Sequence, residues 1–244
     1  MRKFGLIGKK LGHSFSKKYF TAKFEREGIV DAQYDLYELE RIDELQALLK
    51  REPELVGLNV TIPYKEEVIP LLDELDNAAA RIGAVNTIKI ANGHTKGYNT
   101  DYIGFKNTLE AFYPQAKYKK ALVLGTGGAS KAICTALSDL GIFYTLVSRN
   151  PIAGGLSYGQ LTKELLQEYN LIVNTTPLGM APDTHTFPEL PYESITPEHF
   201  AYDIVYNPEK TVFLERCEAA GAKIMNGLGM LHGQAEAAWQ IWNK

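Results

Sequence analysis

A glycine-rich run in the second half of the chain has the residue types that bind phosphate. It follows the short apolar run 121–124 and opens an amphipathic segment. Residues without side chains let the backbone approach a pyrophosphate, whose charge is favoured at the N-terminus of a following helix. We therefore predict a dinucleotide site at Gly125, Gly127, Gly128, Ala129 and Ser130. The alternative is a plain glycine turn, because Ser130 replaces the third glycine of the usual fingerprint.

A cation follows the next apolar run, 144–147. Ser148, Arg149 and Asn150 stand where an NAD site usually carries an acid that holds the ribose 2′-hydroxyl. A guanidinium bonds the oxygens of a 2′-phosphate in a fork, whereas a carboxylate repels them. The pattern therefore predicts NADP as the cofactor, with Ser148 and Arg149 at its adenosine end. A solvated surface charge is the alternative for Arg149.

Three motifs in the first hundred residues combine hydroxyl, amide and charged side chains. They are Gly-His-Ser-Phe-Ser at 12–16, Asn-Val-Thr-Ile-Pro-Tyr-Lys-Glu at 59–66, and Gly-Ala-Val-Asn-Thr at 83–87 with Asn-Thr-Asp at 99–101. Each has a local alternative: serine caps at 14 and 16, a solvated Lys65 on a helix begun by Pro63, and an N-cap at Asp101. All lie at the ends of predicted strands, where open α/β sheets bind ligands. This joint arrangement indicates one site.

The elements that would position these motifs alternate along the chain. The patterns predict strands at 4–7, 34–39, 57–61, 121–124, 144–147, 171–174, 202–205 and 223–225. They predict helices at 16–27, 41–51, 101–112, 129–140, 211–220 and 227–243. Such alternation favours parallel sheets with crossover helices. Asn92-Gly93 predicts a hairpin turn between 86–90 and 95–98, and a domain boundary is expected near residue 100.

Composition excludes several classes of function. The net charge of -3 argues against a nucleic-acid surface, and no apolar run approaches the ~18 residues of a membrane span. Cys134 and Cys217 are too far apart for a CxxC metal or redox motif, which leaves no disulfide framework or zinc site. None of the histidines at 13, 94, 185, 199 and 232 has ligand spacing, so no metal is expected. We expect a soluble, cytoplasmic protein that binds small molecules, as a monomer or homodimer.

Together with Asp-Ile-Val-Tyr-Asn-Pro at 203–208 and Asn-Gly-Leu-Gly-Met-Leu-His-Gly-Gln-Ala at 226–235, these motifs resemble the shikimate dehydrogenase family, collinearly from Phe4 to Trp239. The resemblance implies a two-domain α/β fold. An N-terminal substrate-binding α/β domain, 1–100, would be joined by the C-terminal helix, 228–244. A Rossmann-like NADP-binding domain, 101–227, would follow, with a cleft between them. The implied reaction is the reversible NADPH-dependent reduction of 3-dehydroshikimate to shikimate, on the shikimate pathway to chorismate and aromatic amino acids.

The resemblance also assigns roles. Lys65 and Asp101 match the family's catalytic pair, and Ser14, Ser16 and Tyr206 match its carboxylate-binding residues. The residues that resemble those holding the ring hydroxyls and the reacting oxygen are Asn59, Thr61, Asn86 and Gln234. Gly229 and Met230 fall where the family lines its nicotinamide pocket.

The chain departs from the family pattern in several places, and two alternative functions stay open. The family often has a second arginine just beyond the first, where this chain has Pro151 and Ile152, and its C-terminal tail is longer. A quinate/shikimate dehydrogenase would share nearly every motif. A catalytically silent NADP-binding regulator on the same fold is the alternative of a different class, and an intact Lys65 and Asp101 argue against it.

Overall fold

The computed structural model describes residues 1–12, 14–114 and 119–244. His13, in the first motif, therefore lies outside the described residues. The chain divides into two compact units, 1–100 with 234–244, and 101–233. None of the helices within the described ranges is both long enough and apolar enough to cross a membrane.

The first unit contains a six-stranded mixed sheet. Its strands are β1 (Arg2–Gly8), β2 (Ala32–Glu38), β3 (Leu55–Val60), β4 (Glu74–Leu75), β5 (Thr87–Ala91) and β6 (His94–Tyr98), in the order β2-β1-β3-β5-β6-β4. β1 pairs in parallel with β2 and β3, whereas β5 runs antiparallel to β3 and β6. Asn92 and Gly93 have positive φ angles of 53° and 78°. The predicted hairpin is therefore confirmed.

Helices cover both faces of this sheet. Successive strand residues point to opposite faces. Accordingly, Phe4 packs in one core cluster with α1 (Phe15–Glu27), while Ile7 packs in another with α2 (Leu45–Arg51) and α3 (Asn77–Ile82). The end of α8 (Leu228–Trp242) joins the first cluster. There the Trp242 indole donates to the carbonyl of Ile88 at 3.0 Å.

The second unit contains a five-stranded, fully parallel sheet. Its strands are β7 (Lys120–Leu124), β8 (Phe143–Val147), β9 (Leu171–Asn174), β10 (Phe200–Asp203) and β11 (Lys223–Met225), in the order β11-β10-β9-β7-β8. Val123 packs against α4 (Thr100–Phe112) and α5 (Gly128–Asp139). Its neighbour Leu124 packs on the other face, against α6 (Lys163–Leu166) and α7 (Val212–Ala219). The expected α/β class is confirmed in both units.

The strand order predicts a ligand crevice in the second unit. β7 lies between β8 and β9, so the chain moves to one side of β7 and then to the other. In doubly wound sheets, ligands bind beyond the carboxyl ends of the strands at such a switch point. The glycine run after β7 and the Ser148-Arg149-Asn150 segment after β8 both begin there.

Several elements differ from the sequence prediction. The predicted helix 41–51 is a 3₁₀ turn, Ile42–Glu44, followed by α2, and the predicted strand 202–205 is β10, two residues earlier. No helix begins at Pro63, so the alternative that placed Lys65 on such a helix is wrong. The short elements β4, α3 and α6 were not predicted. For α3 the signals were present, because Asp76 caps its N-terminus and Gly83 ends it at φ 69°.

Candidate active site

The glycine run forms an open loop at the start of α5, called the glycine cradle below. Gly125 has φ 103°, and a methyl group there would lie 3.0 Å from Thr175 Oγ1. At Gly127 and Gly128 a methyl group would meet nothing within 4 Å. No side chain of the described residues caps α5, whose N-cap residue is Gly127. Space without side chains at an uncapped helix N-terminus is what a pyrophosphate needs.

Ser130 stands where the usual fingerprint has its third glycine, and its side chain fits the loop. Its side chain is buried, and its hydroxyl donates to the carbonyl of Gly127 at 2.6 Å. The serine therefore closes the loop with an internal hydrogen bond, and Ala129 beside it is partly buried.

A cleft of about 700 Å³ extends from this cradle. Its lining includes Gly125, Gly127, Ser148, Arg149 and Asn150, so the structure brings together both nucleotide motifs predicted from sequence. The Arg149 side chain is exposed. Burial raises the pKa of Tyr158, which also lines the cleft, and the positive charge of Arg149 opposes that rise. A volume of this size fits a dinucleotide half and not merely an ion.

A buried polar network behind the cleft was not found from the sequence. Asp203 accepts hydrogen bonds from the Thr211 hydroxyl at 2.6 Å, and from Asn174 Nδ2 and the Val205 amide at 3.0 Å each. Asn174 Oδ1 in turn accepts from the amide and hydroxyl of Thr176, a residue that lines the cleft. Asp203 thus supports the loop after β9. Burial raises its pKa to about 6, against these hydrogen bonds, which lower it.

In the first unit, the two serines of the first motif lie at the start of α1. Ser14 is the N-cap and accepts from the Lys17 amide at 3.3 Å. Accepting this bond leaves its hydroxyl proton available to a ligand, so capping and binding are compatible. Burial raises the pKa of Tyr34, and the neighbouring Ser16 hydroxyl opposes that rise.

Tyr34 starts a chain of buried hydrogen bonds that reaches the second and third motifs. Its hydroxyl donates to Asn59 Oδ1 at 2.7 Å. Asn59 Nδ2 donates to the Asn86 carbonyl at 3.4 Å and to Thr87 Oγ1 at 3.1 Å. Asn59 therefore has partners within the protein for its oxygen and for its amide hydrogens.

The side-chain amide nitrogens of Asn86 and Gln234, unlike that of Asn59, lack partners among the described residues. Asn86 Oδ1 accepts from the Thr100 amide at 2.7 Å, and the Thr100 hydroxyl lies 3.1 Å from Asn86 Oδ1 and 3.5 Å from Gln234 Oε1. Neither amide nitrogen has a hydrogen-bond partner within the part of the chain that the structure describes. Both residues are buried and close to Thr100, so the structure brings these two predicted ligand residues together.

Thr61 and Lys65 follow β3 in a series of turns, and both are partly buried. The Thr61 amide donates to the Ile7 carbonyl at 3.0 Å, and the Lys65 carbonyl accepts from the Val85 amide at 2.7 Å. The first bond ties the chain after β3 to β1, and the second ties the Lys65 turn to the segment that carries Asn86. The main chain at Lys65 is therefore held by a hydrogen bond to the segment before Asn86.

The remaining predicted site residues belong to the second unit. Asp101 lies in the first turn of α4 and is partly buried, while Tyr206 is exposed after β10. Gly229 is near the start of α8, where a methyl group would approach Thr108 to 3.0 Å. Met230 is buried in the core cluster of this unit. The catalytic, carboxylate-binding and nicotinamide roles of these four residues stay predictions.

Comparison with known proteins identifies the family. A family profile described as the shikimate dehydrogenase substrate binding domain matches residues 6–88. The shikimate dehydrogenase (NADP(+)) of Clostridium perfringens is 40% identical over 260 residues, which cover 100% of this chain and 93% of that protein. The chain belongs to the shikimate dehydrogenase family.

Two solved structures superpose on nearly the whole of this chain. The shikimate 5-dehydrogenase of Thermus thermophilus, solved in complex with NADP(H) and shikimate, has a TM-score of 0.86 and 33% identity, covering 99% of this chain and 93% of its own. The quinate dehydrogenase of Corynebacterium glutamicum, in complex with NAD, has a TM-score of 0.89 and 28% identity with the same coverage.

Proposed function

We propose that this protein is an NADP-dependent shikimate dehydrogenase that reversibly reduces 3-dehydroshikimate to shikimate, on the pathway to chorismate and the aromatic amino acids. The observation that carries the proposal is the cleft in which Ser148 and Arg149 lie beside the glycine cradle, in a chain of this family. The family supplies the reaction, and a cation directly after β8, where an NAD site usually carries an acid, favours the phosphorylated cofactor.

The second unit would hold the cofactor. The cradle of Gly125, Gly127 and Gly128 and the N-terminus of α5 fit the pyrophosphate, because they offer open space and partial positive charge. Arg149 would bond the 2′-phosphate with Ser148 beside it. When bound, NADPH supplies the hydride.

The first unit would hold the substrate. The hydroxyls of Ser14 and Ser16 can donate to a carboxylate, and the amide nitrogens of Asn86 and Gln234, which have no partner in the described part of the chain, can donate to ring oxygens. Thr61 supplies a further hydroxyl. Hydroxyls and amides select a polyhydroxylated acid, because an analogue that lacks a hydroxyl would leave buried polar groups unpaired.

Lys65 and Asp101 would move the proton. Reduction of a ketone builds negative charge on its oxygen, and an ammonium both stabilises that charge and supplies a proton. We assign this role to Lys65, which its main-chain bond to Val85 holds in place. Asp101 would balance the charge of Lys65 and take part in the relay.

The test is a comparison of initial rates followed by the absorbance of the reduced cofactor. We expect rapid NADPH oxidation with 3-dehydroshikimate and a much lower kcat/KM with NADH. Absence of turnover in all combinations, with normal NADPH binding, would instead identify a silent NADP-binding regulator.

Quinate oxidation is the second candidate activity, favoured by the structural similarity to the quinate dehydrogenase of Corynebacterium glutamicum. Shikimate with NADP and quinate with NAD, measured in the same assay, distinguish the two. A higher kcat/KM for quinate would assign this chain to quinate metabolism. We also propose a cytoplasmic location and a monomeric or dimeric state. Size-exclusion chromatography with light scattering measures the oligomeric state.

A further inference from the structure

Thr100 occupies the centre of the buried polar network in the first unit. It is fully buried, and it begins α4. Its main-chain nitrogen lies 2.7 Å from Asn86 Oδ1. Its hydroxyl oxygen lies 3.1 Å from the same atom and 3.5 Å from Gln234 Oε1. The residue therefore contacts both side chains whose amide nitrogens have no hydrogen-bond partner among the residues that the structure describes.

The donors around Asn86 determine which end of its amide faces the protein. A main-chain N–H can only donate, so the atom 2.7 Å from the Thr100 amide must be the side-chain oxygen. The Thr87 hydroxyl lies 3.2 Å from the same oxygen. A flipped amide would place its NH₂ group against these donors and leave a buried N–H unpaired, which is costly. Asn86 Nδ2 is therefore left for a ligand.

The orientation of the Gln234 amide depends on where the protons of the neighbouring threonine hydroxyls go. Each hydroxyl carries one proton. Thr87 Oγ1 accepts from Asn59 Nδ2 at 3.1 Å, so its own proton goes to Asn86 Oδ1 or Thr100 Oγ1. The Thr100 hydroxyl proton then has two acceptors within reach, Asn86 Oδ1 at 3.1 Å and Gln234 Oε1 at 3.5 Å. When the Thr100 amide and the Thr87 hydroxyl occupy both lone pairs of Asn86 Oδ1, the Thr100 proton goes to Gln234 Oε1, and Gln234 Nε2 is left as the second donor.

We propose that Thr100 is a positioning residue that holds the Asn86 and Gln234 amides with their oxygens toward the protein, so that both nitrogens donate to oxygen atoms of the substrate. The proposal rests on the proposed function and deepens it. Asn59 has a different role from Asn86 and Gln234. Its side chain has its partners within the protein and supports the network through Tyr34 and Thr87.

The first experiment removes only the Thr100 hydroxyl. Thr100→Val keeps the shape and the main-chain N–H that bonds Asn86, whereas Thr100→Ser keeps the hydroxyl. We expect Thr100→Val to raise the KM and the Kd for shikimate about 3- to 10-fold, as one lost hydrogen bond does. The Kd for NADP should stay within about twofold, and Thr100→Ser should restore the wild-type KM. A wild-type KM and Kd for shikimate in Thr100→Val would overturn the proposal, even if the melting temperature fell.

The second experiment tests the donors themselves. Asn86→Asp and Gln234→Glu keep the oxygen that faces Thr100 and replace the donating nitrogen by an acceptor. Each should raise the Kd for shikimate about 10-fold or more, with a melting temperature close to that of the wild type. Unchanged shikimate binding in both variants would show that the nitrogens do not contact the substrate. If wild-type protein binds no shikimate at all, it is the proposed function that fails, and circular dichroism still reports on the fold.

Discussion

The side-chain oxygen of Asn86 lies 2.7 Å from the main-chain nitrogen of Thr100, the first residue of α4. The two residues are 14 positions apart, and both are buried. A helix leaves its first N–H groups without internal partners. Asn86 supplies one of those partners from outside the helix, so a residue of the candidate site also stabilises the start of α4.

This double role predicts a loss of stability when the Asn86 side chain is removed. Asn86→Ala leaves the buried Thr100 N–H unpaired, which costs about 1–3 kcal/mol in the free energy of unfolding. Urea denaturation measures the loss. Asn86→Asp is the control, because it keeps an acceptor at the helix N-terminus, where negative charge is also favoured. Equal destabilisation by both substitutions would contradict the capping role.

Two residues of the glycine cradle are expected to respond differently to substitution by alanine. Gly125→Ala forces a side chain to φ 103° and places its methyl group 3.0 Å from Thr175 Oγ1. We expect it to lower the free energy of unfolding by about 1–3 kcal/mol. Gly127→Ala has φ -75° and open space, so stability should hold while the Kd for NADPH rises, because the methyl group occupies the space of the pyrophosphate.

Thermal unfolding and the quenching of protein fluorescence by NADPH measure the two effects separately. The prediction fails if Gly127→Ala binds NADPH as tightly as the wild type. In that case the cradle would be a turn that only serves the fold.

Arg149 is expected to control the choice of cofactor. Arg149→Ala should raise the KM for NADP about 10- to 150-fold, the value of a bidentate charged contact of about 1.5–3 kcal/mol. The KM for NAD should change little, because NAD has no 2′-phosphate. Lys163→Ala removes an exposed cation elsewhere in the same unit and is the control for net charge. Equal loss for both cofactors would show that Arg149 supports the fold instead.

The nucleotide motifs were readable from sequence because each is local. An apolar run, a glycine turn and an amphipathic helix follow one another within 121–139, and the structure forms β7, the cradle and α5 from them in that order. Ser148 and Arg149 likewise follow directly after β8. The residues of each nucleotide motif that lie together in space are also adjacent in sequence, so the sequence pattern alone predicts them.

The supporting network was not readable, because its partners are distant in sequence. Tyr34 bonds Asn59 across 25 positions, and Thr100 bonds Gln234 across 134. Tyr34 and Thr87 are also ordinary strand residues, so their types gave no separate signal. Short elements were missed for a related reason: β4 has two residues and α6 has four, too few for a period to be recognised.

Asp203 gives a prediction for the pH dependence of stability. Burial raises its pKa from 3.8 to about 6 in the folded protein. The folded state therefore binds more protons than the unfolded state between these pH values. The stability that the protonated form contributes is complete below about pH 3.8 and is lost as the pH rises through 6, a loss of about 3 kcal/mol. Asp203→Asn keeps a neutral group of the same shape and should escape this loss.

The measurement is the difference in unfolding free energy between Asp203→Asn and the wild type, from urea denaturation at pH 4.5, 6 and 7.5. Other carboxylates cancel in that difference. We expect the variant to gain stability relative to the wild type as the pH rises. A difference that is constant with pH would mean that the Asp203 carboxyl titrates equally in both states.

Lys65 is expected to act in the transition state and to contribute little to binding. Lys65→Met keeps much of the apolar stem and removes the ammonium, and the main-chain bond to the Val85 amide does not depend on the side chain. We expect kcat to fall by at least ~10², because proton transfer and charge stabilisation are both lost. The KM for shikimate should change far less, since an interaction made only in the transition state leaves ground-state binding unchanged.

Asp101→Asn should give a similar loss of kcat, and the double variant should lose little more than either single variant, because groups that act as a unit are not additive. Lys89→Met is the matched control, since Lys89 is another partly buried lysine of the first unit. It should retain wild-type kcat. A surface charge would change stability by only ~0.5 kcal/mol and leave the rate unaltered. Near-normal kcat in Lys65→Met, with stability equal to that of Lys89→Met, would therefore remove Lys65 from the mechanism and leave Asp101 as the group to test.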